Sequence, residues 1–223
     1  MAKKNDKPVM GKRQLRKLNR RQAILNAAKA SFIQNGYAGT SMSGLLKRLG
    51  GSKATLWSYF RSKDELFETV IEEVSASFRD QLSLMLTPSA DLRQGLHDFC
   101  LSFLRKLEEP DVVATWRLIV GESGRFPKLG AIFYKRAGKQ TEDVITDFLI
   151  FHMKKRLLRR SDPHLAAELL LSLCTGRQNR LLWGMKRRGP SNLEGLAAQI
   201  VDLFLRFYGA RVTERVRRGT RLR

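Results

Sequence analysis

Residues 52 to 59 read Ser-Lys-Ala-Thr-Leu-Trp-Ser-Tyr and follow Gly50-Gly51, a combination suited to a short helix with Ser52 as its N-cap. Placing successive residues about 100° apart around the axis puts Leu56 and Phe60 on one face and Ala54, Thr55 and Ser58 on the other. Side chains this small let a helix backbone press deep into the major groove of duplex DNA, where the methyls of Ala54 and Thr55 can meet thymine. Trp57 and Tyr59 flank that face and can reach the two sugar-phosphate walls, while Lys53 can approach a base edge or a phosphate. Either aromatic could instead belong to the core. The outward face carries no Asn, Gln or Arg, so direct base readout is expected to be modest. DNA shape and a basic arm in a minor groove would supply the remainder, the alternative for the arm being solubilising charge.

Two more helix starts offer anion chemistry. Lys63 opens a helix, where backbone N–H groups and an ammonium together favour a phosphate oxygen, and a cation is otherwise disfavoured by the helix dipole. Thr40 and Ser41 occupy the equivalent place at an earlier helix. Thr40, Ser41, Ser52 and Ser62 also suit simple capping, and Lys63 ordinary solvated charge.

Other chemistries find little support. There is no G-x-S-x-G elbow, no phosphate loop ending in Gly-Lys-Ser/Thr and no H-E-x-x-H zinc helix. His97, His152 and His164 are scattered, and Glu142-Asp143 are neighbours that do not face one site on a helix. Neither catalysis, a metal nor a cofactor is expected. Cys100 and Cys174 lie among apolar residues and read as small buried hydrophobes, with a thiol switch as the lesser alternative. The 42 Lys and Arg outnumber the 21 Asp and Glu, giving a formal charge of +21 that attracts polyanions, nucleic acid foremost. No apolar run approaches the roughly 20 residues of a membrane span, and no secretory signal is visible, so a cytoplasmic protein is expected.

The elements that must hold these residues are helical throughout, which predicts an all-α fold. Ile24, Ala28 and Phe32 mark a first helix stopped by Asn35-Gly36. Leu45, Leu46 and Leu49 form a second, residues 53 to 60 a third, and Ser62 with Glu65 has the spacing of a capping box opening a fourth, which ends before Pro88. A fifth carries Leu96 to Leu107 and a sixth Val112 to Val120. A seventh is expected from Lys128 to about Arg159, despite Gly130 and Gly138. An eighth runs from Asp162-Pro163 through Leu182, and a ninth from Leu193 to Phe207. The boundaries that follow are a basic flexible arm over 1–18, a DNA-binding domain over 19–66 with the fourth helix continuing to about 86, a larger helical domain over 88–209, and a basic tail over 210–223.

Two short helices joined by a Gly-containing turn form a helix-turn-helix candidate. The ordered run of Arg21, Ile24-Leu25, Ala27-Ala28, Phe32, Gly36-Tyr37, Thr40-Ser41, Gly50, Ser52, Thr55-Leu56, Tyr59-Phe60, Ser62-Lys63 and Leu66 closely resembles the N-terminal domain of TetR-family repressors. Three positions depart from that pattern. Gly44 stands where an acidic residue usually completes a capping box with Ser41, which predicts a looser second helix. Gly51 replaces an apolar turn residue, and Trp57 replaces a common Tyr. The stretch Trp116 to Tyr134, with Glu122 and Phe126-Pro127, is similar to the C-terminal domain of the AefR-like branch.

The long apolar faces of the last two helices suit an antiparallel hairpin that buries its seam against a second copy, and in TetR-like proteins this pair commonly makes the dimer interface. Burial within one chain is the alternative. The resemblance further implies a small-molecule effector. A pocket among the fifth to eighth helices could use Phe99, Phe103, Trp116, Phe133 and Trp183 as walls and His97, Glu122, Gln178 and Asn179 to orient the ligand. The alternative for each is a core aromatic or a satisfied or exposed polar group. The resemblance also implies that the fourth helix is the lever between pocket and DNA. The function expected is a repressor released by its ligand from an inverted-repeat operator in double-stranded DNA. The alternative is a ligand-independent architectural DNA-binding dimer.

Overall fold

A computed structural model describes residues 11–87, 91–176, 178–185 and 192–210. Among them the chain forms α1 (Lys12–Gly39), α2 (Met42–Leu49), α3 (Lys53–Tyr59), α4 (Lys63–Met85), α5 (Leu92–Leu107), α6 (Pro110–Ser123), α7 (Pro127–Phe133), α8 (Lys139–Lys154), α9 (Pro163–Thr175), α10 (Gln178–Leu182) and α11 (Leu193–Tyr208). A π-helical turn, Tyr134–Gly138, joins α7 to α8. The only pairing of β type among the described residues is one antiparallel bridge, Leu158 with Gly209.

Two apolar clusters organise these helices. The first gathers Ile24, Leu25, Ala28 and Phe32 of α1 with Leu45, Leu56, Phe60 and the α4 residues Leu66, Phe67, Val70 and Ile71. The second gathers Phe78, Leu82 and Leu86 at the far end of α4 with Leu96, Phe99, Leu149, Leu170 and Phe204. Helix α4 therefore has one end in each core. Ile119 of α6 and Leu129 of α7 belong to the first cluster, so the small domain is completed by residues of the large one.

The starts of the short helices follow their caps. Ser52 Oγ accepts from Thr55 N–H at 3.1 Å, and Ser62 Oγ from Glu65 N–H at 3.0 Å. Glu65 reaches back to Arg61 N–H at 2.7 Å, one residue beyond the N-cap N–H that a full capping box engages. Ser41 still caps α2 through Gly44 N–H at 3.0 Å, so the missing acidic residue removes only half of that device.

Several boundaries differ from expectation. Lys12 to Leu18, expected in a flexible arm, form the exposed first turns of α1; the expected arm over Met1 to Met10 and the tail over 211–223 lie outside the described residues. The stop at Gly36 is present as a break, with φ +72°, after which one more turn reaches Gly39. The expected seventh helix is divided by the π turn, where five residues accommodate Gly138 packed on the Tyr134 ring. It also ends early, at Lys154. Arg156 adopts φ +61° and Leu157 N–H bonds His152 O at 3.0 Å, a left-handed C-terminal closure without glycine. The expected eighth helix stops at Thr175, and α10 is a separate single turn.

Candidate nucleic-acid interface

The α3 wheel is realised in space. Leu56 and Phe60 are buried, whereas Ser52, Lys53, Ala54, Thr55, Trp57 and Ser58 are exposed. Trp57 is 40% exposed and lies outside the core, while Tyr59 is half-buried against it. The hydroxyls of this helix are held locally: Ser52 and Thr55 are 2.8 Å apart, and Ser58 Oγ donates to Thr55 O at 2.7 Å. The turn ahead of α3 is held from α1. The Arg20 guanidinium donates to Leu49 O at 3.0 Å and also to Gly50 O, and Gly51 sits at φ +102° beside it. A side chain at Gly51 would be strained in that backbone and would crowd Arg20, which accounts for the departure from an apolar residue there. Residues 7 to 63 contain 13 Lys and Arg and no Asp or Glu, a segregation of charge that the whole-chain total conceals.

Thr40 and Lys63 are placed differently from expectation. Thr40 is buried, its Oγ1 donating to Gly36 O at 2.9 Å and lying 3.0 Å from Ser31 Oγ. Its hydroxyl is occupied inside the domain, whereas neighbouring Ser41 is exposed. Lys63 Nζ donates to Tyr37 O at 2.9 Å and Thr40 O at 3.0 Å and lies 4.2 Å from the centre of the Tyr37 ring. Two carbonyls and a π face thus supply the negative partners that its position at a helix start demanded. Burial pushes the Lys63 pKa down.

These contacts belong to a junction that sequence reading missed. Glu122, at the end of α6, accepts from Tyr37 N–H at 2.5 Å and from Ala38 N–H at 3.3 Å. Gly36 permits this approach, because a Cβ there would collide with the Glu122 carboxylate. Tyr37 OH donates to Asp64 Oδ1, and Lys128 Nζ of α7 meets Asp64 Oδ2 at 2.8 Å. The Tyr37 pKa is pushed up to about 12, first by burial and then by its bond to Asp64. Lys128 and then Tyr37, both donating to it, hold the Asp64 carboxyl below the usual carboxylate range. The ring of Tyr37 packs on Phe126 at 5.3 Å between centres. Glu122, expected to orient a ligand, is instead a bridge from α6 to the segment preceding α2.

The large domain holds a cavity of about 360 Å³. Phe103, Trp116 and Phe133 line it as expected, joined by Phe78, Tyr134 and Leu171 from α4, the π turn and α9. The remaining expected residues lie elsewhere. Phe99 is fully buried beneath Phe103, 5.5 Å away between ring centres. His97 faces Asp98 and Glu194 at 3.6 and 3.8 Å. Gln178 is buried behind the wall, donating to Leu107 O at 3.4 Å; Asn179 is exposed and Trp183 is 73% exposed. Cys100 and Cys174 are buried free thiols.

Residues 24–70 match the family described as bacterial regulatory proteins of the tetR family, and residues 94–210 match the AefR-like transcriptional repressor C-terminal domain. The chain belongs to the TetR family. It is a DNA-binding transcriptional regulator. Among solved structures, a TetR-family regulator from Mesorhizobium loti is 28% identical with a TM-score of 0.75, the match covering 87% of this chain and 98% of that one. The Flavonoid-responsive Regulator FrrA is 31% identical with a TM-score of 0.73, over 87% of this chain and 99% of that one. The HTH-type transcriptional regulator YhgD of Bacillus subtilis is 22% identical over 84% of this chain and 95% of its own length. No helix among the described residues is long and apolar enough to cross a membrane.

Proposed function

We propose that this TetR-family protein is a homodimeric repressor that α3 seats in the major groove of an inverted-repeat operator and that a flat, mostly apolar ligand releases. The observation that carries the reading is the division of α3 into a buried pair, Leu56 and Phe60, and an outward face of small residues. Ala54, Thr55 and Ser58 would approach base edges, with Lys53, Trp57, Ser41 and the N–H groups at the helix starts on phosphates.

Dimerisation is supported by apolar surface that the single chain leaves uncovered. Leu165, Leu169 and Leu173 repeat every four residues on α9 and are 49%, 44% and 41% exposed; Leu203 and Phe207 on α11 are 45% and 68% exposed. A contiguous face of this kind suits a second copy. Two copies would present two recognition helices to half-sites one or more DNA turns apart, ~34 Å per turn.

The ligand class rests on the cavity and on the printed name of one similar structure, a flavonoid-responsive regulator. Aromatic walls favour a planar compound. The hydroxyls of Ser75, Thr115 and Thr141 line the cavity and donate to the backbone carbonyls four residues earlier, at 2.8, 2.7 and 3.0 Å, which leaves them free to accept from a ligand O–H. Val112, Thr115, Trp116 and Ile119 of α6 also line the cavity, and the last turn of the same helix carries Glu122. A ligand that shifted α6 would therefore act on the segment before α2 as well as on α4. Complete reversal of DNA occupancy, from 99:1 to 1:99, needs a preference of about 5.5 kcal/mol for the released state.

Selection of bound duplexes from a random library tests the reading. Recovery of an inverted repeat, bound by two protomers in sedimentation and released by planar phenolic compounds, is the expected result. Sequence-indifferent binding, or a monomer on DNA, would overturn it.

A further inference from the structure

Helix α1 begins long before it is needed by the core. Its first buried residue is Ile24, whereas residues 11 to 19 are exposed on all sides. At about 100° per residue, Lys12, Arg13, Arg16, Lys17 and Arg20 fall within one arc of about 140°, and Gln14, Leu15, Leu18 and Asn19 occupy the other side. Arg20 lies near the middle of the basic arc and shows where that arc points. Its guanidinium reaches the carbonyls of Leu49 and Gly50, in the turn immediately ahead of α3.

We infer that residues 12 to 19 of α1 form a helical strut whose basic face lies along the sugar-phosphate backbone beside the groove that α3 enters, adding phosphate contacts outside the helix-turn-helix. The inference rests on the DNA-facing reading of α3. Three observations support it. The arc is continuous with the turn that positions α3, it is free of any acidic neighbour in sequence from residue 7 to 63, and it is helical, so its charges are already aligned. From Lys12 to Arg20 the helix rises about 12 Å, a length matching three to four base pairs at ~3.4 Å each. Leu15 and Leu18, 48% and 47% exposed, give the opposite side only two apolar residues, too few for a helix held in a lipid interface.

The test uses the full chain with K12Q, R13Q, R16Q and K17Q combined. Gln matches Lys and Arg closely in helix propensity, and Arg20 is left to hold the turn. On the duplex selected by the wild type, the variant is expected to lose at least two phosphate contacts per protomer. Each lowers the steepness of log affinity against log salt by about 0.9. The footprint shortens by about three base pairs on one flank of each half-site, and the selected sequence is unchanged. A second variant adds Q14K, L15K, L18K and N19K to the first, restoring net charge on the wrong arc; its slope and footprint stay reduced. Unaltered slope and footprint in the first variant, or recovery in the second, would overturn the strut while leaving the α3 reading intact. Loss of binding to phosphatidylserine vesicles with an unchanged DNA slope would assign the arc to membrane and equally overturn it. If the wild type binds no duplex at all, both readings fall.

Discussion

Two helix starts in the small domain carry similar residues and are put to different uses. At α3, Ser52, Thr55 and Ser58 bond only one another and their own backbone, and the surrounding face is open. At the start of α4 and the segment before α2, Thr40, Lys63, Tyr37 and Asp64 bond across elements, and the hydroxyl of Thr40 is buried. Residue type and place on a helix are alike in both regions. What separates them is whether neighbouring elements already satisfy the polar groups, a property of the assembled fold. The first region is free to meet a partner. The second ties the DNA-binding domain to α6 and α7.

That contrast predicts opposite responses to substitution. The largest effect is expected from Ala54→Glu, which puts a negative charge on the open face of α3 that we propose meets phosphates and bases. DNA affinity should fall by a hundredfold or more, since like-charge juxtaposition costs several kcal/mol. Thermal stability should be unchanged or slightly raised, because an acidic residue suits the first turn of a helix. Equal loss of folding and binding would erase the distinction between the regions. Glu122→Ala comes next: removing a carboxylate that accepts two backbone N–H bonds should cost about 2 kcal/mol in urea unfolding and weaken coupling between cavity and DNA. A surface residue without that role would show neither change.

Smaller effects sharpen the second region. Thr40→Val should lower stability by about 1 kcal/mol and leave the DNA affinity of the folded protein unchanged, whereas loss of a hydroxyl that donated to a phosphate would weaken binding several-fold. Asp64 supplies a pH signature. Its carboxyl is held below its ordinary range in the folded protein, so its contribution is present above the unfolded pKa of about 4 and disappears as pH falls through the folded value. Acid unfolding of Asp64→Asn should therefore be less steep below pH 4 than that of the wild type. Identical acid limbs would remove Asp64 from the junction.

Much of this was legible in the residues themselves. Caps at Ser41, Ser52 and Ser62, the break at Gly36 and the burial of Leu56 and Phe60 follow from local chemistry and helical period, and all are present. The features not legible locally share a physical origin. The partners that Lys63 finds are not legible locally, because its two carbonyls and the Tyr37 ring come from 23 to 26 residues away. The bridging role of Glu122 is equally hidden, because its N–H partners lie 84 and 85 residues away. Residue type alone suggests His97 and Trp183 for the cavity, though neither lines it. Gly36 held the missed clue, since a glycine can mark a close approach as well as a helix end. The π turn was also foreshadowed, by Gly138 inside an otherwise continuous pattern.

The most direct test is photocrosslinking from a reactive side chain placed in turn at positions 54, 40 and 63 of the intact protein on its selected duplex. The account predicts efficient crosslinks to bases from position 54 and none from the buried position 40 or the tethered position 63. Crosslinks from 40 and 63 with none from 54 would show that the open face of α3 is not the surface that meets DNA.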